Sequence, residues 1–119
     1  QGQQARVVLT GRRSEADLQS NTPYLQLVNT YGKSRVSYLT ANAASYSDLK
    51  SLLIKVVASH HLEGIFHCAG TLNDSFLVNK TVEQFENTLE AKVSGSIHLI
   101  QAANDVSQQT ETGFDFILF

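Results

Sequence analysis

The alternation of elements along this chain predicts an α/β fold, a mostly parallel sheet with helices on both faces. Three observations predict it. Short runs rich in β-branched, aliphatic and aromatic residues recur at 5–10, 35–39, 64–68 and 114–119. Helix caps and helical periodicity fill the stretches between them. The composition, 42% hydrophobic and 17% charged over 119 residues, is that of an ordinary globular domain. Strand and helix taking turns in this way build βαβ units.

The first strand is Ala5-Arg6-Val7-Val8-Leu9-Thr10, closed by Gly11-Arg12-Arg13-Ser14. Ser14 can cap a helix with Glu15 and Asp17 in its first turn. Pro23 interrupts that stretch, so a break or a fresh helix start is expected there, carrying Leu25 and Val28. Tyr31-Gly32 closes it. The second strand is 35–39. Ser45-Tyr46-Ser47-Asp48 resembles a capping box with Asp at its third position. Leu49, Leu52, Leu53, Val56 and Val57 then give the strongest helical pattern in the chain. The third strand, 64–68, ends at Ala69-Gly70. Thr81-Val82-Glu83-Gln84 is a capping box opening a long helix, with Val82, Phe85, Leu89, Val93 and Ile100 on one face and an end near Val106. The fourth strand is 114–119.

A net charge of −2 argues against a nucleic-acid surface. The single cysteine, Cys68, excludes an internal disulfide framework and a multi-cysteine zinc site. His60, His61, His67 and His98 show no metal-ligand spacing, so no metal is expected. No apolar run nears the roughly 18 residues of a membrane span. The sequons at Asn73 and Asn79 lack a secretory context. The chain has no methionine and stops within an apolar strand pattern, so we expect an internal piece of a larger domain.

In open α/β sheets ligands bind beyond the carboxyl ends of the strands. That rule selects Gly11-Arg12-Arg13, Thr40-Ala41-Asn42 and Cys68-Ala69-Gly70. An arginine after such a strand accommodates a ribose 2′-phosphate, where an acidic residue would hold a 2′-hydroxyl. Two solvated turn arginines are the plain alternative. Ala69 and Gly70 let a flat ligand approach the backbone, or simply form a turn. Lys92 flanks the apolar stripe of the long helix. A lysine there either serves a site or snorkels to water. His67 and Cys68 point to opposite faces of a strand and cannot act as a pair.

The stretches 5–13, 64–74, 89–95 and 114–119, in that order and at that spacing, resemble the ketoreductase domain of modular polyketide synthases, a short-chain dehydrogenase/reductase. Animal-type fatty acid synthase ketoreductases are similar. The resemblance implies a Rossmann-like sheet and NADPH-dependent reduction of a β-ketoacyl thioester on an acyl carrier protein, in a cytoplasmic, multidomain synthase. It implies that Gly11, Arg12 and Arg13 meet the cofactor's 2′-phosphate end, and that His67, Ala69 and Gly70 line the cofactor. It makes Lys92 the catalytic lysine. Leu72-Asn73-Asp74 resembles the Leu-Asp-Asp signature of B-type reductases, with Asp74 the position that steers product configuration.

The chain departs from the family at Asn42, where an aspartate usually binds the adenine amino group. It also lacks the glycine-rich phosphate loop, expected before Gln1, and the catalytic serine, tyrosine and asparagine, expected after Phe119. A truncated, catalytically silent reductase-like domain would keep the fold and lose the cofactor residues. Arg12, Arg13 and Lys92 favour the active reading. The dinucleotide-fold order makes the visible strands its second to fifth, with the first strand and the C-terminal part missing. The first strand would belong between the strands at Val7-Val8-Leu9 and Ile65-Phe66-His67. On that reading, the 119 residues alone neither fold well nor reduce a ketoacyl thioester.

Overall fold

Four strands, all in parallel pairs, carry the architecture in the computed structural model, which describes residues 5–69 and 80–119. The chain divides into two units, 1–41 and 42–119.

The first unit holds β1 (Val7–Gly11), a 3-10 helix (Ala16–Ser20), α1 (Thr22–Tyr31) and β2 (Val36–Thr40). β1 and β2 run parallel, with Val7 opposite Val36 and Gly11 opposite Thr40. The expected break at Pro23 is there, and each side of it is capped. Ser14 and Asp17 exchange hydrogen bonds across the start of the 3-10 helix. The Asn21 side chain accepts from the Tyr24 N–H at 3.0 Å, and Pro23 sits in the first turn of α1. Gly32 ends α1 at φ 82°, a conformation a side chain would strain. Leu18, Tyr24, Val36 and Ala41 are the buried residues, and Tyr24 meets Tyr38 edge to face.

The second unit holds α2 (Tyr46–Ser59), β3 (Gly64–Phe66), α3 (Val82–Leu89), a π-helical turn (Glu90–Ser94), α4 (Gly95–Thr110) and β4 (Phe116–Leu118). Ser45 caps α2 as expected, accepting from the Asp48 N–H. The Asp48 carboxylate, however, passes over Ser45 and accepts the Asn42 N–H at 3.0 Å. The Thr81–Gln84 capping box closes in both directions at 3.2 Å. β3 and β4 are parallel, with Ile65 opposite Ile117, and both lean on the core formed between α2 and α4. Hydrogen bonds from the Asp115 N–H to the Glu63 carbonyl and from the His67 N–H to the Leu118 carbonyl extend the ladder, each 2.7 Å.

Two expectations for the long helix are corrected. It runs through the π-helical turn and continues to Thr110, not to Val106. The polar residues 107–110 stay helical because the Thr110 hydroxyl donates back to the Val106 carbonyl and Ser107 donates to the Thr112 carbonyl. The stripe Val82, Phe85, Leu89, Val93 and Ile100 is exposed, each residue between 42% and 74%. The buried residues lie further on, in α4, where Leu99, Ala102, Ala103 and Val106 pack on Leu49 and Leu53 of α2 and Gly95 is buried beside the Ala43 carbonyl. Small residues there let the two helices approach closely.

β1 pairs with β2 and β3 with β4, as the dinucleotide-fold order predicts. No helix among the described residues is long and apolar enough to cross a membrane.

Candidate functional site

The first group of site residues lies at the carboxyl end of β1. Gly11 is the last residue of the strand, and a Cβ there would stand 2.9 Å from the Tyr38 hydroxyl. The absence of a side chain lets Tyr38 reach across to the next turn. Its hydroxyl donates to the Arg13 carbonyl at 2.8 Å, and the Thr40 hydroxyl donates to the same oxygen at 3.1 Å. Two side chains of β2 therefore fix the backbone of the arginine turn. Burial pushes the Tyr38 phenol above its ordinary pKa, and the nearby positive charge of Arg13 opposes that push.

Arg12 and Arg13 are exposed, and neither guanidinium hydrogen-bonds to another described residue. Arg13, Ala16, Asp17, Gln19 and Ser20 line an open depression. The Ser14 hydroxyl and N–H, helped by Arg13, hold the Asp17 carboxyl below its ordinary pKa. The roles of Tyr38 and Thr40 were missed in the sequence. Their signal is hydroxyl groups at alternate positions of a strand parallel to one ending in glycine.

The second group lies in the other unit. Asn42 follows β2 and opens the loop to α2. Its Oδ1 accepts the Ala44 N–H and its carbonyl accepts the Ser45 N–H, at 3.0 and 2.9 Å. The acceptor that would replace the family's aspartate thus already holds the loop, although a carbonyl oxygen keeps a second lone pair. His67 lies just past β3. Its ring stands edge-on to Phe119, and its Nε2 is buried with no hydrogen-bond partner among the described residues. This nitrogen faces α4, where a Cβ on Gly95 would stand 3.6 Å from it. Cys68 and Ala69 are exposed beside it.

Lys92 sits in the π-helical turn, exposed, and its carbonyl accepts from the Ser96 hydroxyl. Such turns mark functional sites in many helices. The capping and periodicity patterns gave no sign of this one. Gly70 and Asp74 lie outside the described residues. Among the described residues no group of histidine, cysteine and carboxylates could hold a metal ion.

The KR domain family matches residues 1–119. Polyketide synthase PksL of Bacillus subtilis is 33% identical over 101 residues, which cover 84% of this chain and 2% of that protein. An N-terminal ketoreductase from the macrolactin assembly line superposes with a TM-score of 0.71 at 25% identity, covering 94% of this chain and 21% of that one. ElxO with NADPH bound has the same fold at a TM-score of 0.72 and 18% identity, covering 91% of this chain and 42% of that one. The chain therefore spans only a small part of the length of these relatives. Parallel strand pairs ordered as in a dinucleotide fold, basic and amide residues where the strands end, and a full-length family match converge: the chain belongs to the KR domain family, the ketoreductases of polyketide synthases within the short-chain dehydrogenase/reductase fold.

Proposed function

We propose that this chain is part of an NADPH-dependent reductase of a polyketide synthase, which turns a carrier-protein-bound β-ketoacyl thioester into the β-hydroxy form. The observation that carries the reading is the arginine turn. Two exposed guanidinium groups stand beyond the carboxyl end of β1 on a backbone held from β2. A pair of exposed cations on a turn held at the Arg13 carbonyl suits a ribose 2′-phosphate.

In this reading Gly11, Arg12 and Arg13 hold the phosphate end of the cofactor. Asn42 faces the adenine, and His67, Ala69 and Gly70 line the cofactor beside the sheet. The nicotinamide supplies the hydride when bound. Lys92 holds positive charge beside the family's proton-donating tyrosine and lowers its pKa. Asp74 steers the configuration of the product, of B type with a D hydroxyl. The partners are an acyl carrier protein and the remaining segments of the synthase, in the cytoplasm.

The test is to supply the full-length protein with a β-ketoacyl thioester and NADPH and to analyse the product on a chiral column. A D-configured β-hydroxyacyl thioester is expected. A mainly L product removes the B-type assignment. No reduction with NADPH or NADH removes the reductase reading and leaves the silent structural role.

A further inference from the structure

Three local bonds of Asn42 shape the loop 42–45, beside the capping bonds of Ser45. Asn42 accepts from the Ala44 N–H and, through its carbonyl, from the Ser45 N–H, while Asp48 accepts from the Asn42 N–H. All three lie within the loop or the first turn of α2, so they curl the loop without tying it to the rest of the unit. Among the described residues, a polar bond from α4 does so. The Ala44 carbonyl lies 2.8 Å from Nδ1 of His98, 54 residues away on α4. A carbonyl can only accept, so Nδ1 carries the proton and the imidazole donates. One turn earlier, a Cβ on Gly95 would stand 3.2 Å from the Ala43 carbonyl. Positions 95 and 98 share a face of α4, so bare backbone and a ring donor receive successive residues of the loop. The next residue, Leu99, belongs with Ala102, Ala103 and Val106 to the buried core, which makes α4 the rigid side of this contact.

From this geometry we infer that His98 is a positioning residue for the loop that carries Asn42, and that it raises affinity for the adenosine half of the nicotinamide cofactor. The inference rests on the reductase reading for the ligand's identity. Its physical content is preorganisation. A loop already held in its bound shape loses less entropy when a ligand docks on it. His98 touches no reacting group, so its loss weakens binding and leaves the chemical step alone.

The test uses the full-length protein, with NADPH binding measured by fluorescence titration and steady-state kinetics run alongside. His98→Asn and His98→Leu have nearly the same shape, but only the asparagine amide can donate to the Ala44 carbonyl. His98→Leu should raise the Kd and KM for NADPH about fivefold with kcat little changed, the effect of one lost hydrogen bond. His98→Asn should stay within about twofold of wild type, since its amide restores the donor. Amide hydrogen exchange without cofactor should quicken across 42–45 in His98→Leu and stay slow in the buried turns of α4. If the leucine protein does not fold, His98→Ala serves as the variant without a donor. Unchanged affinity without the donor, or equal weakening in the leucine and asparagine variants, overturns the inference alone. A wild-type protein that binds no NADPH overturns the reductase reading and the inference together.

Discussion

The turn of Arg12 and Arg13 owes its placement to two hydroxyl side chains whose supporting role the sequence did not show. Their turn is pinned by hydroxyl groups of Tyr38 and Thr40, and Gly11 leaves room for the first of these. The side chains are then free to meet an anion while the backbone stays still. Replacing both arginines by alanine in the full-length protein should weaken NADPH binding and leave NADH little changed. Equal loss of both cofactors in a titration would show that the pair does not read the 2′-phosphate. Lys92 is proposed to contribute in a different way. In the proposed reading its charge acts on the proton transfer, so Lys92→Ala should slow the chemical step at least about tenfold, roughly 1.4 kcal/mol of barrier. Single-turnover kinetics give that rate directly, and an unchanged value would leave Lys92 as a solvated helix residue. The place of Arg12 and Arg13 just past a strand was legible in the sequence because Gly11 marks the strand's end, whereas Lys92 was singled out by the family resemblance. The supports were not legible, because which strand-2 hydroxyl meets which carbonyl depends on register.

At the scale of elements, α2 and α4 hold the second unit together. Their apolar contact runs through Leu49 and Leu53 against Leu99, Ala102, Ala103 and Val106. Leu53→Ala should cost about 2–5 kcal/mol, measured by urea unfolding of the full-length protein. A polar clamp closes the same pair of helices. The Tyr46 hydroxyl donates to the Asp105 carboxylate, while Lys50 lies over the Tyr46 ring. The bond to Asp105 is the main reason the Tyr46 phenol lies above its ordinary pKa of 10.0; burial and the Asp105 charge add to it and Lys50 opposes it. A raised phenol pKa means that folding favours the protonated form. The clamp thus stabilises the fold fully below about pH 10 and is lost as pH rises through the raised value. Tyr46→Phe should lower the unfolding midpoint at neutral pH, and the gap to wild type should close in alkali. A gap that persists there would mean that the hydroxyl acts through packing alone.

The caps and the i, i+3, i+4 pattern of α2 were plain in the sequence because they are local. The inward face of α4 was not. Of the marked stripe only Ile100 lies on α4, and the buried set there is Leu99, Ala102, Ala103 and Val106, mostly small residues whose value appears only when a second helix lies against them. The π-helical turn at Glu90–Ser94 escaped for a related reason: periodicity arguments assume an unbroken helix.

At the scale of the molecule, strand order was the most legible feature. Apolar runs alternating with helices fix parallel pairing, and the pairs β1–β2 and β3–β4 are those a dinucleotide fold requires. Among the described residues, β1 and β3 each have one strand neighbour. Both strands are half-exposed and apolar, so each presents an open edge that favours association over a cooperative fold. We therefore propose that the 119 residues expressed alone melt without a sharp transition and bind NADPH poorly. A cooperative melt of the isolated monomer with saturable NADPH binding would refute that.

The central claim is that this fold positions a nicotinamide cofactor for hydride transfer to a β-keto group. Isotope transfer tests it most directly. Full-length protein, a β-ketoacyl thioester and NADPH deuterated at nicotinamide C4, on either face in separate runs, should give a β-hydroxyacyl product carrying deuterium at the β-carbon in one of the two runs. Mass spectrometry that finds no deuterium there in either run would contradict the claim.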